Sequence, residues 1–432
     1  SNQSTFIAAA DSLKEYLAFT GNSYFSAELI GKIANQDLHG FGAEVEYVIV
    51  SHPDFFSAAN ELAAYHEQKD GIRTIVVSPQ QIYNEFSSAA QDITAIRDFM
   101  RYLYKKPNSQ LRYLLLLGDA SYDPLNRVSN NSNFVPSYQS NNSVSPTQSY
   151  VTDDYFGLLD DTEGKFINDL VDIGIGRFPV QSLSEANDMV QKVKHYNGTL
   201  AKGDWRNRIT FIADDGDAND GNTHMAQADS LANIIDNKYD NINLQKIYLD
   251  AYTQESTPGG PRCPDAQQAI TEAIQKGTLL INYSGHGGEL GWTKERILEV
   301  NQINKWDNVN NLPLFVTATC EFSRFDDPKR VSAGEYTFLN KEGGAIGLLS
   351  TTRLVYASLN YELNKQFTKV LFEKENGQLP RLGDLFRQTK VNSGTNLNNR
   401  NFTLLGDPAL CLSYPDFSIS TTAISDTISA LG

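Results

Sequence analysis

The chain has 432 residues, and its 36 Lys plus Arg against 52 Asp plus Glu give a formal charge of −16 at pH 7 with His neutral. That balance, with no clustered run of Lys or Arg, argues against nucleic acid, whose phosphates need a basic stripe. At about 150 residues per domain the length predicts two or three domains, and 40% hydrophobic content excludes whole-chain disorder.

Taken in chain order, β-branched and Leu-rich runs predict strands at Glu46–Val50, Arg73–Val77, Tyr113–Leu117, Asp172–Ile175, Arg208–Ala213, Gln245–Tyr248, Thr278–Tyr283, Leu314–Ala318 and Ala345–Ser350. Between them, amphipathic periodicity predicts helices at Ser57–Lys69, Ala90–Tyr104, Ser184–Tyr196, Thr223–Lys238, Asp265–Lys276 and Asn360–Glu375, several opening on Ser, Thr or Asp caps. The alternation predicts an α/β fold with a parallel sheet covered on both faces. A boundary near Gly198–Trp205 divides it into two α/β subdomains, 1–203 and 204–415. Residues 129–149, rich in Asn, Ser and Gln, read as a long surface loop, and 416–432 as a linker or the start of a truncated β domain. Opening on Ser1-Asn2-Gln3 without Met, the chain reads as cut from a longer precursor. No apolar stretch approaches the roughly 20 residues needed to cross a bilayer.

Chemistry concentrates in the second half. The apolar run Leu279-Leu280-Ile281-Asn282-Tyr283 ends on Ser284-Gly285-His286-Gly287-Gly288, which sets a histidine among glycines at the carboxyl end of a predicted strand. Ligands of open parallel sheets sit at such ends, and glycine lets backbone approach a substrate closely. A second strand, Leu314-Phe315-Val316-Thr317-Ala318-Thr319, delivers Cys320 in the same way, 34 residues later. A thiol needs a nearby imidazole to react as thiolate at neutral pH, and two neighbouring strand ends supply the pair. Three cysteines are too few for a disulfide framework; Cys263, beside Pro264 in a loop, and Cys411, on a late strand, read as structural.

These motifs, Asn282-Tyr283-Ser284-Gly285-His286-Gly287-Gly288 and Ala318-Thr319-Cys320-Glu321-Phe322, resemble those of the gingipain family of cysteine peptidases, whose fold is caspase-like. Leu116-Leu117-Gly118-Asp119, Asp172 to Pro179 and Leu405-Gly406-Asp407-Pro408-Ala409-Leu410 agree in order, so the likeness runs over nearly all of the chain. Within the family, Gln81 to Ser88, Val151-Thr152-Asp153-Asp154-Tyr155-Phe156-Gly157 and Gly287-Gly288-Glu289-Leu290-Gly291-Trp292 most resemble the PorU-type sortases of the type IX secretion system of Bacteroidetes.

The resemblance implies a sortase at the outer-membrane cell surface of a Gram-negative Bacteroidetes bacterium, exported by a signal peptide absent from this sequence. Such an enzyme removes the C-terminal secretion domain of exported cargo and joins the new carboxyl end to anionic lipopolysaccharide, beside an outer-membrane partner such as PorV. It needs no redox cofactor, and structural calcium is possible. The alternatives are a plain endopeptidase and a non-catalytic cargo-binding scaffold. By residue, Cys320 is the nucleophile and His286 the acid–base, with backbone N–H groups of Gly287 and Cys320 as the oxyanion hole.

Family members orient the histidine with an acid from an upstream loop, which here is the long segment Asp214 to His224. Alignment from the right favours Asp220; from the left, Asp217. Glu289, Trp292 and Tyr356 are candidate substrate contacts, and Asp229 the candidate acid for a basic substrate residue. In the acid loop, Asp215, Asp217 and Asn219 resemble the start of an EF-hand, but Gly221 falls one place late and Ala226 stands where the bidentate Glu belongs. No firm metal site emerges, and His224 reads as a packing residue or one that supports the site from behind, rather than as a metal ligand. Gly174-x-Gly176 reads as buried strand, and Asp153-Asp154 and Asp160-Asp161 as solvated loop acids, with calcium ligation the alternative.

Overall fold

The computed structural model describes residues 5–415 apart from 10, 12–13, 23–25, 27, 30, 143, 165–166, 219 and 376. The chain divides into two units, 1–37 and 38–432. Among the described residues of the first there is no helix or strand. The second is built on a ten-stranded sheet, and the predicted tail at 416–432 lies outside the described residues.

In chain order the strands are β1 Tyr47–Ser51, β2 Thr74–Val77, β3 Tyr113–Leu117, β4 Gly174–Phe178, β5 Arg208–Ala213, β6 Asn243–Tyr248, β7 Leu280–Ser284, β8 Leu314–Ala318, β9 Gly347–Thr351 and β10 Phe402–Leu405. Their order across the sheet is β2-β1-β3-β4-β10-β9-β8-β7-β5-β6. The α/β fold with a mainly parallel sheet therefore stands. Nine strands fall where periodicity placed them, within about two residues at most ends. The tenth, β10, was not expected; it runs antiparallel to β9 and meets β4 at Leu405 opposite Arg177. Strands from 1–203 occupy one end of the sheet and those from 204–415 the rest, so the two segments share one sheet.

Side-chain alternation explains why both faces are covered. Tyr47 and Ile49 of β1 and Tyr113, Leu115 and Leu117 of β3 enter one core, whereas Val48, Val50, Leu114 and Leu116 enter the other. Parallel strands buried on both faces are apolar throughout, as these are. Helices α1 Phe56–Asp70, α2 Pro79–Phe86, α3 Ile93–Tyr104, α4 Leu183–Tyr196, α5 Thr223–Asp236, α6 Pro264–Lys276, α7 Ala333–Leu339, α8 Ala357–Val370 and α9 Leu382–Asn392 supply the layers. The periodicity missed α2, α7 and α9, and α8 begins three residues before the predicted start. Among the described residues no helix is long and apolar enough to cross a membrane.

The loops that leave β3 and β8 meet, where Tyr122 N–H donates to Asp326 O at 2.8 Å. Beneath them the expectation of solvated acids fails at Asp153 and Asp154, both buried. Arg177 Nε and Nη2 grip Asp153 at 2.7 and 2.8 Å and its Nη1 reaches the carbonyls of Gly118 and Val135. Asp154 takes Lys390 at 2.6 Å and Arg400 at 3.1 Å. Burial is possible because each carboxylate is matched by cations. Asp160 and Asp161 are exposed and pair with Lys105 and Arg101. Arg177→Met leaves Asp153 buried without its partner, and we expect it to lower unfolding free energy by about 3–5 kcal/mol in urea denaturation.

Candidate active site

The site forms where β5, β7 and β8 end side by side. β7 pairs in parallel with β5 and β8, with Ser284 opposite both Ala213 and Ala318. His286 and Cys320 therefore each lie two residues beyond a paired position. Crowding at this edge explains two glycines. A Cβ on Gly285 would stand 2.3 Å from Tyr283 Oη and 2.6 Å from Asp214 Cβ, and one on Gly287 would stand 2.6 Å from Thr319 Oγ1. Only glycine fits, and Gly287 packs directly on the residue before Cys320.

The histidine backbone is fixed from three sides. Asp214, the residue after β5, accepts His286 N–H at 2.9 Å, while His286 O accepts Tyr283 Oη at 2.5 Å and Thr293 N–H at 3.0 Å. Burial pushes the Asp214 carboxyl up to about 7, against the pull of the His286 N–H and with Asp215 adding to the rise. Asp214 is a positioning residue that sequence reasoning passed over. Its place at the carboxyl end of a strand beside β7 was the available signal.

Both candidate acids face the imidazole. Asp220 Oδ2 lies 2.8 Å from His286 Nε2 and Asp217 Oδ2 lies 3.8 Å away, so Asp220 makes the hydrogen bond. Asp217 instead accepts Asp220 N–H at 2.9 Å and shapes the loop. With Nε2 held by Asp220, Nδ1 is the nitrogen left to exchange a proton with a thiol. Asp220→Asn should therefore lower kcat by on the order of 10²–10⁴-fold with KM little changed, because an amide supports the wrong tautomer. Asp217→Asn should cost about tenfold or less. Steady-state kinetics of the two variants distinguishes them, and the reverse ranking would reassign the acid.

Cys320 is half-buried, and its thiol rests 3.7 Å from Val355 O. Burial pushes the thiol up, with Glu321 adding to the rise. Among the described residues no hydrogen bond joins Sγ to His286, so attack requires rotation of the thiol toward Nδ1 or a ligand that brings the strand ends together. Glu321, the next residue, has φ 53°, a left-handed conformation that costs a residue with Cβ about 1 kcal/mol or more. Such strain turns the chain sharply after Cys320.

Beside His286 opens a cavity of about 710 Å³ whose walls include Gly287, Glu289, Leu290, Lys294, Glu321 and Arg330. Glu289 lines it, but its carboxylate is spent on Arg324, at 2.6 Å, and Arg330. Trp292 forms a wall: it is 1% exposed and stacks on Tyr283 with centroids 4.1 Å apart. Tyr356 lies outside this cavity, exposed, next to the Val355 carbonyl that holds the thiol. Asp229 is also outside it, bound to Lys246 at 2.5 Å on α5. Cys263 is buried and Cys411 sits in an isolated bridge to Arg381, short of the strand expected there.

Two clusters, Asp160–Glu163–Asp172 and Asp214–Asp215–Glu295, gather carboxylate oxygens that suit calcium. Three carboxylates supply only part of the six to eight oxygens it takes.

The model of Peptidase family C25 matches residues 42–413. Gingipain R2 of Porphyromonas gingivalis is 22% identical over 254 residues, 58% of this chain and 28% of that protein. Gingipain R1 of the same species shows the same identity over 58% of this chain and 21% of its own. The chain thus spans less than a third of the length of these curated relatives. Among solved structures, the Arg-specific cysteine proteinase gingipain R superposes with a TM-score of 0.66 at 19% identity, over 86% of this chain and 79% of that one, a likeness of fold. Dimeric latent PorU from Porphyromonas gingivalis is 26% identical with a TM-score of 0.50, over 90% of this chain and 32% of that one. A family model that spans the whole sheet, on a fold shared with gingipain R, places the chain in peptidase family C25, the family of the gingipains.

Proposed function

We propose that this chain is the peptidase portion of a type IX secretion sortase. The observation that carries the peptidase reading is the Asp220–His286 pair at the end of β7, beside Cys320 at the end of β8. Cys320 gives its proton to His286 Nδ1 and attacks the scissile carbonyl. His286 then protonates the leaving amine, and a thioester on Sγ remains. Gly287 and Cys320 N–H groups are the proposed oxyanion donors.

The sortase reading is supported by the motifs shared with PorU and by an identity to PorU, 26%, above the 19% to gingipain R. On this reading the cargo carries a C-terminal secretion domain, the acceptor is anionic lipopolysaccharide, and the enzyme works at the outer-membrane surface of a Bacteroidetes cell with an outer-membrane partner such as PorV. A chain of −16 repels a polyanion at long range, so an acceptor needs local cations. Lys294, Arg296 and Arg330 stand on the cavity walls beside His286. The same walls carry Glu289, Glu299 and Glu321, with Arg330 paired to Glu289 and Arg296 to Glu299, so the cavity is balanced in charge and further cations for a polyanion would come from a partner.

The test is mass spectrometry of the new C-terminus after cleavage of a cargo-tail peptide in ¹⁸O water. The chain alone should incorporate water, the default acceptor; with native acceptor and partner present, an amide-linked product should appear, since bound amines gain effective concentration. Water in every case would leave a plain endopeptidase. Absence of any cleavage, with the tail merely bound, would leave a scaffold.

A further inference from the structure

His224, at the start of α5, is 5% exposed, and among the described residues its Nε2 has no hydrogen-bond partner although it is buried. A buried polar nitrogen left unsatisfied is destabilising unless something occupies it. That nitrogen points toward the catalytic pair: it lies 3.7 Å from Asp220 Oδ2, which lies 2.8 Å from His286 Nε2, and the two rings meet edge to face with centroids 5.0 Å apart. One ligand atom each from Asp220, His224 and His286 falls within 4.8 Å of the others.

We propose that Asp220, His224 and His286 form a site for a transition-metal dication of the zinc class, and that its occupancy switches the peptidase off. Two imidazoles and a carboxylate are a donor set that zinc takes readily, with a solvent molecule in the fourth position. Metal–ligand bonds of about 2.0–2.2 Å in a tetrahedron separate ligand atoms by about 3.3 Å. The separations of 2.8 and 3.7 Å bracket that value, so side-chain movements of a few tenths of an ångström suffice for these two pairs.

Inhibition follows from the proton count. In the metal-free pair the ring proton of neutral His286 sits on Nε2, donated to Asp220, and the Nδ1 lone pair can take the thiol proton. The metal binds through the Nε2 lone pair, so the single ring proton passes through solvent to Nδ1 and none is gained or lost. Nδ1 then has no lone pair for Cys320, and Asp220 is drawn to the metal. The thiol itself takes no part, which separates this site from direct capture of zinc by a cysteine. The regulatory half rests on the peptidase reading above; the binding half does not.

Isothermal calorimetry with zinc chloride on the metal-stripped chain tests the site without any need for turnover. Wild type and Cys320→Ala should each bind zinc, and His224→Ala and His224→Gln, each checked for an unchanged circular-dichroism melt, should weaken that binding by at least about tenfold, since even outer-shell changes cost this much. Using both variants guards against one that does not fold. Equal binding by wild type and both His224 variants, loss of binding in Cys320→Ala, or no binding to wild type would each overturn the proposal. In the active chain, zinc should slow cleavage, a chelator should restore it, and His224→Gln should raise the half-inhibiting zinc concentration about tenfold or more. Cleavage indifferent to zinc that calorimetry shows bound would overturn the switch, whereas absence of cleavage before zinc is added would count against the peptidase reading and leave the calorimetry to judge the site.

Discussion

Cys320→Ala should abolish cleavage of any peptide that the chain cleaves, a loss of about 10⁴-fold or more, while the fold persists. Neither other thiol replaces it: Cys263 is buried, and Cys411 lies on the bridge to Arg381. Loss of the nucleophile removes the covalent route, and what survives is the modest acceleration that binding and oxyanion donors give alone. The substitution deletes one sulfur from a half-buried position whose contact is a weak S–H to carbonyl bond at 3.7 Å. Stability should therefore change by about 1 kcal/mol or less, measurable by urea denaturation beside the kinetics.

His286→Ala should cost nearly as much, about 10⁴-fold in kcat, and the double variant with Cys320→Ala should be no worse than either alone. Burial already pushes the thiol up, so without a proton acceptor the thiolate is scarce at neutral pH and the leaving amine departs unprotonated. Residues that act as one unit give non-additive losses. Additive losses in the double variant would mean that the two side chains work independently. The backbone of His286 should stay in place, because Asp214, Tyr283 and Thr293 hold its N–H and C=O whatever the side chain.

The two strand ends were legible because a buried parallel strand is written in consecutive apolar residues, and the change from Tyr283 to Ser284-Gly285-His286 or from Ala318 to Thr319-Cys320 marks where the sheet stops. The orienting acid was only half legible. The loop from Asp214 to His224 offers several carboxylates, and which one meets the ring depends on the path of a turn closed by the Asp217–Gly221 bridge. Strand β10 escaped notice because Phe402–Leu405 is four residues in an Asn-rich context, short of a full period-2 signature.

Asp153 and Asp154 were misread for a different reason. Adjacent acids look solvated until their cations are known, and Arg177, Lys390 and Arg400 are 24, 236 and 246 residues away. Tertiary pairing of this range leaves no local trace. The same holds for Glu289, which looked available to substrate until folding brought Arg324 and Arg330 onto it from α7's approach.

The most direct measurement is capture of the acyl-enzyme. Acid quenching during turnover of a peptide that the chain cleaves, followed by intact-mass measurement and peptide mapping, should find the acyl fragment as a thioester on Cys320, absent from Cys320→Ala and from His286→Ala. An acyl adduct on Cys263 or Cys411, or undiminished cleavage by Cys320→Ala, would contradict the account.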